Sequence, residues 1–124
     1  GESSAVIQDL LDRCQGKIET LTTKSVGEAA VAGNQIARDE YVEATRVLGW
    51  AISQVITLVA PEAIIVGGGV SLVGEDVFFT PLKQAVQQYV FPPLANSYQL
   101  LPAGLGESVV VHGALALARL SAPE

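Results

Sequence analysis

The run Ala63-Ile64-Ile65-Val66-Gly67-Gly68-Gly69-Val70-Ser71 constrains this chain more than any other segment. Four apolar residues, three of them β-branched, predict a short buried strand. The glycines that follow let the backbone turn sharply or approach a bulky neighbour. Upstream, Ile36, Tyr41, Ala44, Leu48, Ala51, Ile52, Val55, Ile56 and Val59 recur at three- and four-residue spacings, which predicts one long helix from Gln35 to Ala60, stopped at Pro61. Val47 to Val59 is apolar nearly all round, so the second half of that helix is expected to be buried on more than one side.

The same periodicity organises the rest of the chain. Residues 3–15 read as a short helix opened at Ser3 or Ser4 and closed at Gly16. Leu21 to Val26 reads as a connector, followed by a turn or two of helix from Gly27 to Gly33, with Asn34 as the cap of the long helix. After the glycines, Phe78, Phe79, Leu82, Val86 and Tyr89 predict a helix ending before Pro92-Pro93. Tyr98-Gln99-Leu100-Leu101 is a second strand candidate. Ser108 to Leu120 suits a closely packed helix, because its small residues outweigh the β-branched Val109-Val110-Val111. Two strands separated by a helix form a parallel βαβ unit, which makes a poor sheet alone. The order helix, strand, helix, strand, helix therefore looks like the end of a larger α/β domain.

Composition narrows the function. Hydrophobic residues make up 49% and charged residues 16% of the 124, enough for a core and more apolar surface than one small domain covers. Thirteen acidic against seven basic residues give a net charge of −6, and no Lys/Arg cluster is present, so direct contact with nucleic acid is not expected. Arg38, Asp39, Glu40, Glu43 and Arg46 interrupt the long helix, and no cationic leader precedes an apolar core, so neither a membrane span nor a signal peptide is expected. The lone Cys14 suits a reducing, cytoplasmic setting and offers no Cys-based metal site.

Few residues can carry chemistry. Leu72 stands where a G-x-G-x-x-G dinucleotide fingerprint needs its third glycine, and no lysine follows the glycines before Lys83, which excludes a P-loop. His112 lies among valines and has no nucleophile partner in the pattern. Asp39, Glu40 and Glu43 read as a solvated helix face, and Glu75 and Asp76 as charges favouring a helix start. No catalytic residue and no metal ligand set is expected. What remains is Gly67, Gly68, Gly69, Val70 and Ser71: either a tight turn and nothing more, or the wall of a nucleotide site that uses shape and backbone N–H groups.

The chain resembles the C-terminal part of the ROK family, bacterial sugar kinases and sugar-responsive repressors of the hexokinase/actin-like superfamily. The resemblance runs from about Ser25 to Arg119, through Glu28-Ala29-Ala30-Val31-Ala32-Gly33-Asn34, Leu48-Gly49-Trp50-Ala51-Ile52, Ala60 to Ser71, Pro81-Leu82, Leu105-Gly106 and His112-Gly113-Ala114-Leu115-Ala116. It implies a ribonuclease H-like ATPase lobe, with residues 1–124 a single C-terminal portion of it. It also implies that Gly67, Gly68, Gly69, Val70 and Ser71 border the adenosine of ATP, used with Mg²⁺, and that the Gly113-Ala114 helix crosses a counterpart in the other lobe. The family's Asp-x-Gly-Gly-Thr phosphate loop, its Asn-Asp segment with the catalytic aspartate and its zinc motif would all lie before residue 1. The resemblance thus implies a glucokinase-like enzyme acting on a hexose or N-acetylhexosamine, inactive as this piece alone, cytoplasmic, and paired as a homodimer. The alternatives are a ROK repressor, with this part as sugar sensor and dimer scaffold, and a scaffold piece that has lost ATP binding.

Overall fold

A computed structural model describes residues 2–121. The chain folds as α1 (Glu2–Arg13), α2 (Thr23–Val31), α3 (Gln35–Val59), β1 (Ala63–Val66), α4 (Thr80–Tyr89), β2 (Gln99–Pro102) and α5 (Val109–Ser121), with short 3-10 turns between several of them. β1 and β2 pair in parallel, Ala63 with Gln99 through Val66 with Pro102, and α4 is the crossover between them. This is the α/β order the sequence predicts.

Local chemistry sets the boundaries. α2 begins four residues earlier than the sequence reading, because the Thr22 hydroxyl accepts the Ser25 N–H at 3.1 Å and caps the helix. The Leu21–Val26 connector is corrected accordingly, and Gly27 falls mid-helix. Asn34 caps α3 by accepting the Ala37 N–H at 3.2 Å, while its amide nitrogen donates to Asp9 at 2.7 Å and to the Val6 carbonyl at 2.9 Å, tying α1 to the start of α3. Asp9 is held below the usual carboxylate range by hydrogen bonds from Arg13 and Asn34. α3 ends at Ala60, whose left-handed backbone (φ 44°) turns the chain into β1.

One face of α3 forms the middle of the core. Ala37, Tyr41, Thr45, Gly49, Ile52, Ser53 and Ile56 are buried along it. Thr45 and Ser53 are polar, and each satisfies its hydroxyl on its own helix, at the Tyr41 carbonyl (2.8 Å) and the Trp50 carbonyl (2.6 Å). α3 packs most extensively on α4. The closest approach is at Gly49, where a Cβ would lie 2.5 Å from Ala85 Cβ and 3.0 Å from backbone atoms of Ala85 and Val86. Leu82, Val86 and Ile56 are fully buried around this crossing, each contributing roughly 1.5–3 kcal/mol.

Three expectations need correction. Within the described residues α3 buries a single face: Trp50 is 52% and Leu58 81% exposed, while Leu48 and Ile52 turn inward onto the core. β1 is half covered, with Ile64 and Val66 on the core and Ile65 exposed, because a two-stranded sheet has helices packed on one side only. α5 is helical as expected but has no buried residue, and its main contacts are with the turn just before it. α3 is long and apolar enough to cross a bilayer by length and composition; here its core face is occupied by α2 and α4.

Replacing Gly49 with valine is expected to cost roughly 1–3 kcal/mol, since the added carbons meet α4 backbone rather than a movable side chain. Urea denaturation will show this as a lowered midpoint. A midpoint equal to that of the unaltered protein would mean that the two helices slide apart freely.

Candidate functional site

The loop after β1 is built in steps. At Gly67 the chain is still extended beside the residue that follows β2: the Ala103 N–H donates to the Val66 carbonyl at 2.9 Å, and a Cβ on Gly67 would lie 2.9 Å from Ala103 Cβ. Gly68 has φ 101° and ψ 169°, a region essentially restricted to glycine. Gly69 to Val73 then form a 3-10 turn, closed on Gly68, whose carbonyl accepts both the Ser71 N–H at 3.1 Å and the Ser71 hydroxyl at 2.7 Å. Gly74, again at positive φ, ends the turn. Its carbonyl accepts the N–H groups of Phe78 and Phe79 in a π-helical turn, Glu75–Phe79, that leads into α4. The sequence reading foresaw a helix here but not its wide first turn.

This turn faces α2. Thr23, Gly27 and Val31, four residues apart, and Lys24 with Glu28 lie on one stripe of α2. Together with Gly69, Val70, Leu72 and Val73 they enclose an open cleft of about 590 Å³. A Cβ on Gly27 would lie 2.5 Å from Val73 Cγ1, so the missing side chain at Gly27 allows the two walls to meet at the cleft floor. The lining is largely apolar, with Val31, Val70 and Leu72 partly exposed within it and Lys24 and Glu28 as its charged groups. Apolar walls with a few polar groups are the usual make-up of a small-molecule site.

Of the candidate residues, Gly69 and Val70 line the cleft. Gly67, Gly68 and Ser71 do not; they shape the turn behind it. Thr23, Lys24, Gly27, Glu28, Val31, Leu72 and Val73 were not anticipated from the sequence. The spacing of 23, 27 and 31 marks a helix face, but nothing in the chain order says that this face lies across the glycine turn. His112 and the carboxylates of Asp39, Glu40 and Glu43 are exposed and away from the cleft lining. Among the described residues no group of His, Cys, Asp or Glu is placed to hold a metal ion.

The parallel βαβ unit, its glycine turn and the flanking helix occur in many α/β folds; the structural comparison places them in an actin/hexokinase-like lobe. Residues 2–120 match the model of the ROK family, and the chain belongs to that family. A glucokinase of Thermotoga maritima is 32% identical over 111 residues, 87% of this chain and 34% of the relative. The crystal structure of a ROK family glucokinase from Streptomyces griseus, in complex with glucose and AMPPNP, superposes with a TM-score of 0.84 at 30% identity, over 95% of this chain and 38% of that one. A xylose repressor of Caldicellulosiruptor bescii is 24% identical over 86% of this chain and 27% of its own length. The chain therefore spans about a third of the proteins it matches.

Gly68 and Gly69 should respond differently to alanine. At Gly68 the positive φ predicts a loss of about 1–3 kcal/mol, whereas at Gly69 a Cβ enters open space at ordinary φ and stability should hardly change. Thermal melts of the two variants decide; equal losses would contradict this account of the turn.

Proposed function

We propose that this chain is the nucleotide-side C-terminal portion of a longer ATP-dependent sugar kinase, and that the cleft between α2 and the Gly69–Val73 turn receives the adenosine. The observation that carries this reading is the cleft itself: an apolar slot whose floor closes only because position 27 has no side chain. The glucokinase relatives, and the neighbour with AMPPNP bound, support the choice of ligand.

In this reading Gly69 and Val70 flank the nucleoside, Gly67, Gly68 and Ser71 hold the turn that presents them, and Lys24 supplies a positive charge at the rim. In this reading the general base for the sugar hydroxyl and the seat for Mg²⁺ lie outside this chain, and among the described residues no group of His, Cys, Asp or Glu is placed to hold a metal ion. An aspartate and a phosphate-binding loop in the preceding polypeptide would do that work, and Mg²⁺ arriving with ATP would offset the charge on its phosphates. The 124-residue chain alone is then inactive. A hexose or N-acetylhexosamine is the acceptor class, and the cytoplasm, where ATP and free sugars meet, is the setting. The xylose repressor relative favours a second reading, in which the same lobe senses a sugar and dimerises behind an upstream DNA-binding module.

Gly69→Phe in the complete polypeptide tests the first reading. The ring fills the slot, so affinity for an ATP analogue should fall by about tenfold or more while the melting temperature holds. A coupled assay on the unaltered complete polypeptide should show hexose-dependent ATP turnover, and the 124-residue chain none. Unchanged affinity in the variant would return the triplet to a simple turn; absent turnover together with sugar-sensitive DNA binding would favour the repressor.

We further propose a homodimer. Trp50, Leu58 and Val59 on α3 and the apolar residues of α5 are exposed and lie outside the core described above. The sequence pattern points to Leu48, Ile52 and Val55 on α3, with the Ser108–Leu120 segment, as the interface; Leu48 and Ile52 belong to the core instead, while Val55 and α5 remain exposed and available. Light scattering across a dilution series should report twice the chain mass; a monomer at every concentration would show that these faces are covered in another way.

A further inference from the structure

Lys24 and Glu28 are the charged side chains of the cleft lining, both exposed on the α2 wall and one helical turn apart. Opposite charges at this spacing often pair along a helix, though less readily with the lysine first. Here they stay apart: among the described residues the ion pairs are Arg13 with Asp9, Arg46 with Glu43 and Lys83 with Glu75, and the side-chain hydrogen bond at the start of α2 joins Thr22 to Ser25. Both charges are thus free to meet a ligand. Their order along the wall then matters. The lining runs from Lys24 in the first turn of α2, through Glu28, to Val31 as its last residue. A nucleotide presents its chemistry in the matching order of phosphates, ribose and base.

We infer that Glu28 is the ribose-reading residue of the cleft: its carboxylate accepts hydrogen bonds from the 2′- and 3′-hydroxyls of a nucleotide that lies along α2, its base toward Val31 and its phosphates leaving past Lys24. This rests on the nucleotide reading above. An ionised carboxylate only accepts, and its two oxygens match two neighbouring hydroxyl donors, whereas a phosphate beside it is repelled. The helix rise separates Lys24 from Glu28 by about 6 Å along the axis, comparable with the step from the ribose hydroxyls to the first phosphates. Val31 and, on the other wall, Val70 and Leu72 offer a base its apolar contacts. The reverse orientation would strip water from the phosphates among these apolar groups without pairing them. Lys24 also stands where the helix dipole adds positive potential to its own charge.

The test is calorimetry at low salt on the complete polypeptide with ATP, adenosine and 2′,3′-dideoxyadenosine, repeated on Glu28→Gln and Lys24→Met, with melts to show that each variant is folded. The unaltered protein should bind adenosine about tenfold or more tightly than dideoxyadenosine, and Glu28→Gln should cut that preference to about threefold or less by weakening adenosine alone. Lys24→Met should weaken ATP about 3- to 10-fold and adenosine hardly at all. An undiminished ribose preference in Glu28→Gln overturns the inference. So does a Lys24→Met loss equal for ATP and adenosine, which would place the ribose at the start of α2. If the unaltered protein binds neither ATP nor adenosine, the nucleotide reading falls and the inference with it. Equal affinity of the unaltered protein for adenosine and dideoxyadenosine removes the inference alone, and decides the matter even where a variant fails to fold.

Discussion

The structure depends first on the crossing of α3 over α4 at Gly49 and Ala85. Helices this close require small residues at the contact, and here a single Cβ would meet the opposite backbone. The crossing holds α4, the crossover of the βαβ unit, and so keeps β2 in register with β1. About two to three turns toward its N-terminus, α3 presents Tyr41 and Ala37 to α2. The same helix therefore positions the strand end that carries the glycine turn and the helix that faces it. The cleft is the space left between two elements fixed to a common support.

Glycine acts at two scales. At Gly68 it supplies a backbone conformation that other residues rarely adopt; at Gly27 and Gly49 it supplies absence, allowing close approach. Gly67, against Ala103, belongs with the second group. Read along the chain, the triplet looks like one unit. In three dimensions only Gly69 meets the open cleft, while its two predecessors secure the path of the turn.

Much of the fold was legible because the apolar spacing of α3 and α4, the cap at Asn34 and the stop at Pro61 are local signals. The start of α2 was missed although Thr22 is a favourable cap residue, because Gly27 looked like a break rather than a contact. The π-helical turn at Glu75–Phe79 has no periodic signature; it follows from burying Phe78 and Phe79, packed edge to face at 5.1 Å, at once. Half of the cleft was illegible for a different reason. Which helix face lies across a turn is decided by packing between segments some forty residues apart. The apolar cover expected for α5 and for the outer face of α3 is not supplied within the described residues, and a chain spanning about a third of its relatives leaves room for that cover elsewhere.

The most direct measurement is a series of ¹⁵N–¹H correlation spectra of the complete, selectively labelled protein titrated with an ATP analogue. The account predicts progressive shifts at the amides of Gly27, Glu28, Val31, Gly69, Val70 and Leu72, with the α3–α4 crossing unmoved. Shifts absent from both cleft walls while the analogue binds, or gathered instead around Lys83, Asn96 and Tyr98 beside β2, would contradict it.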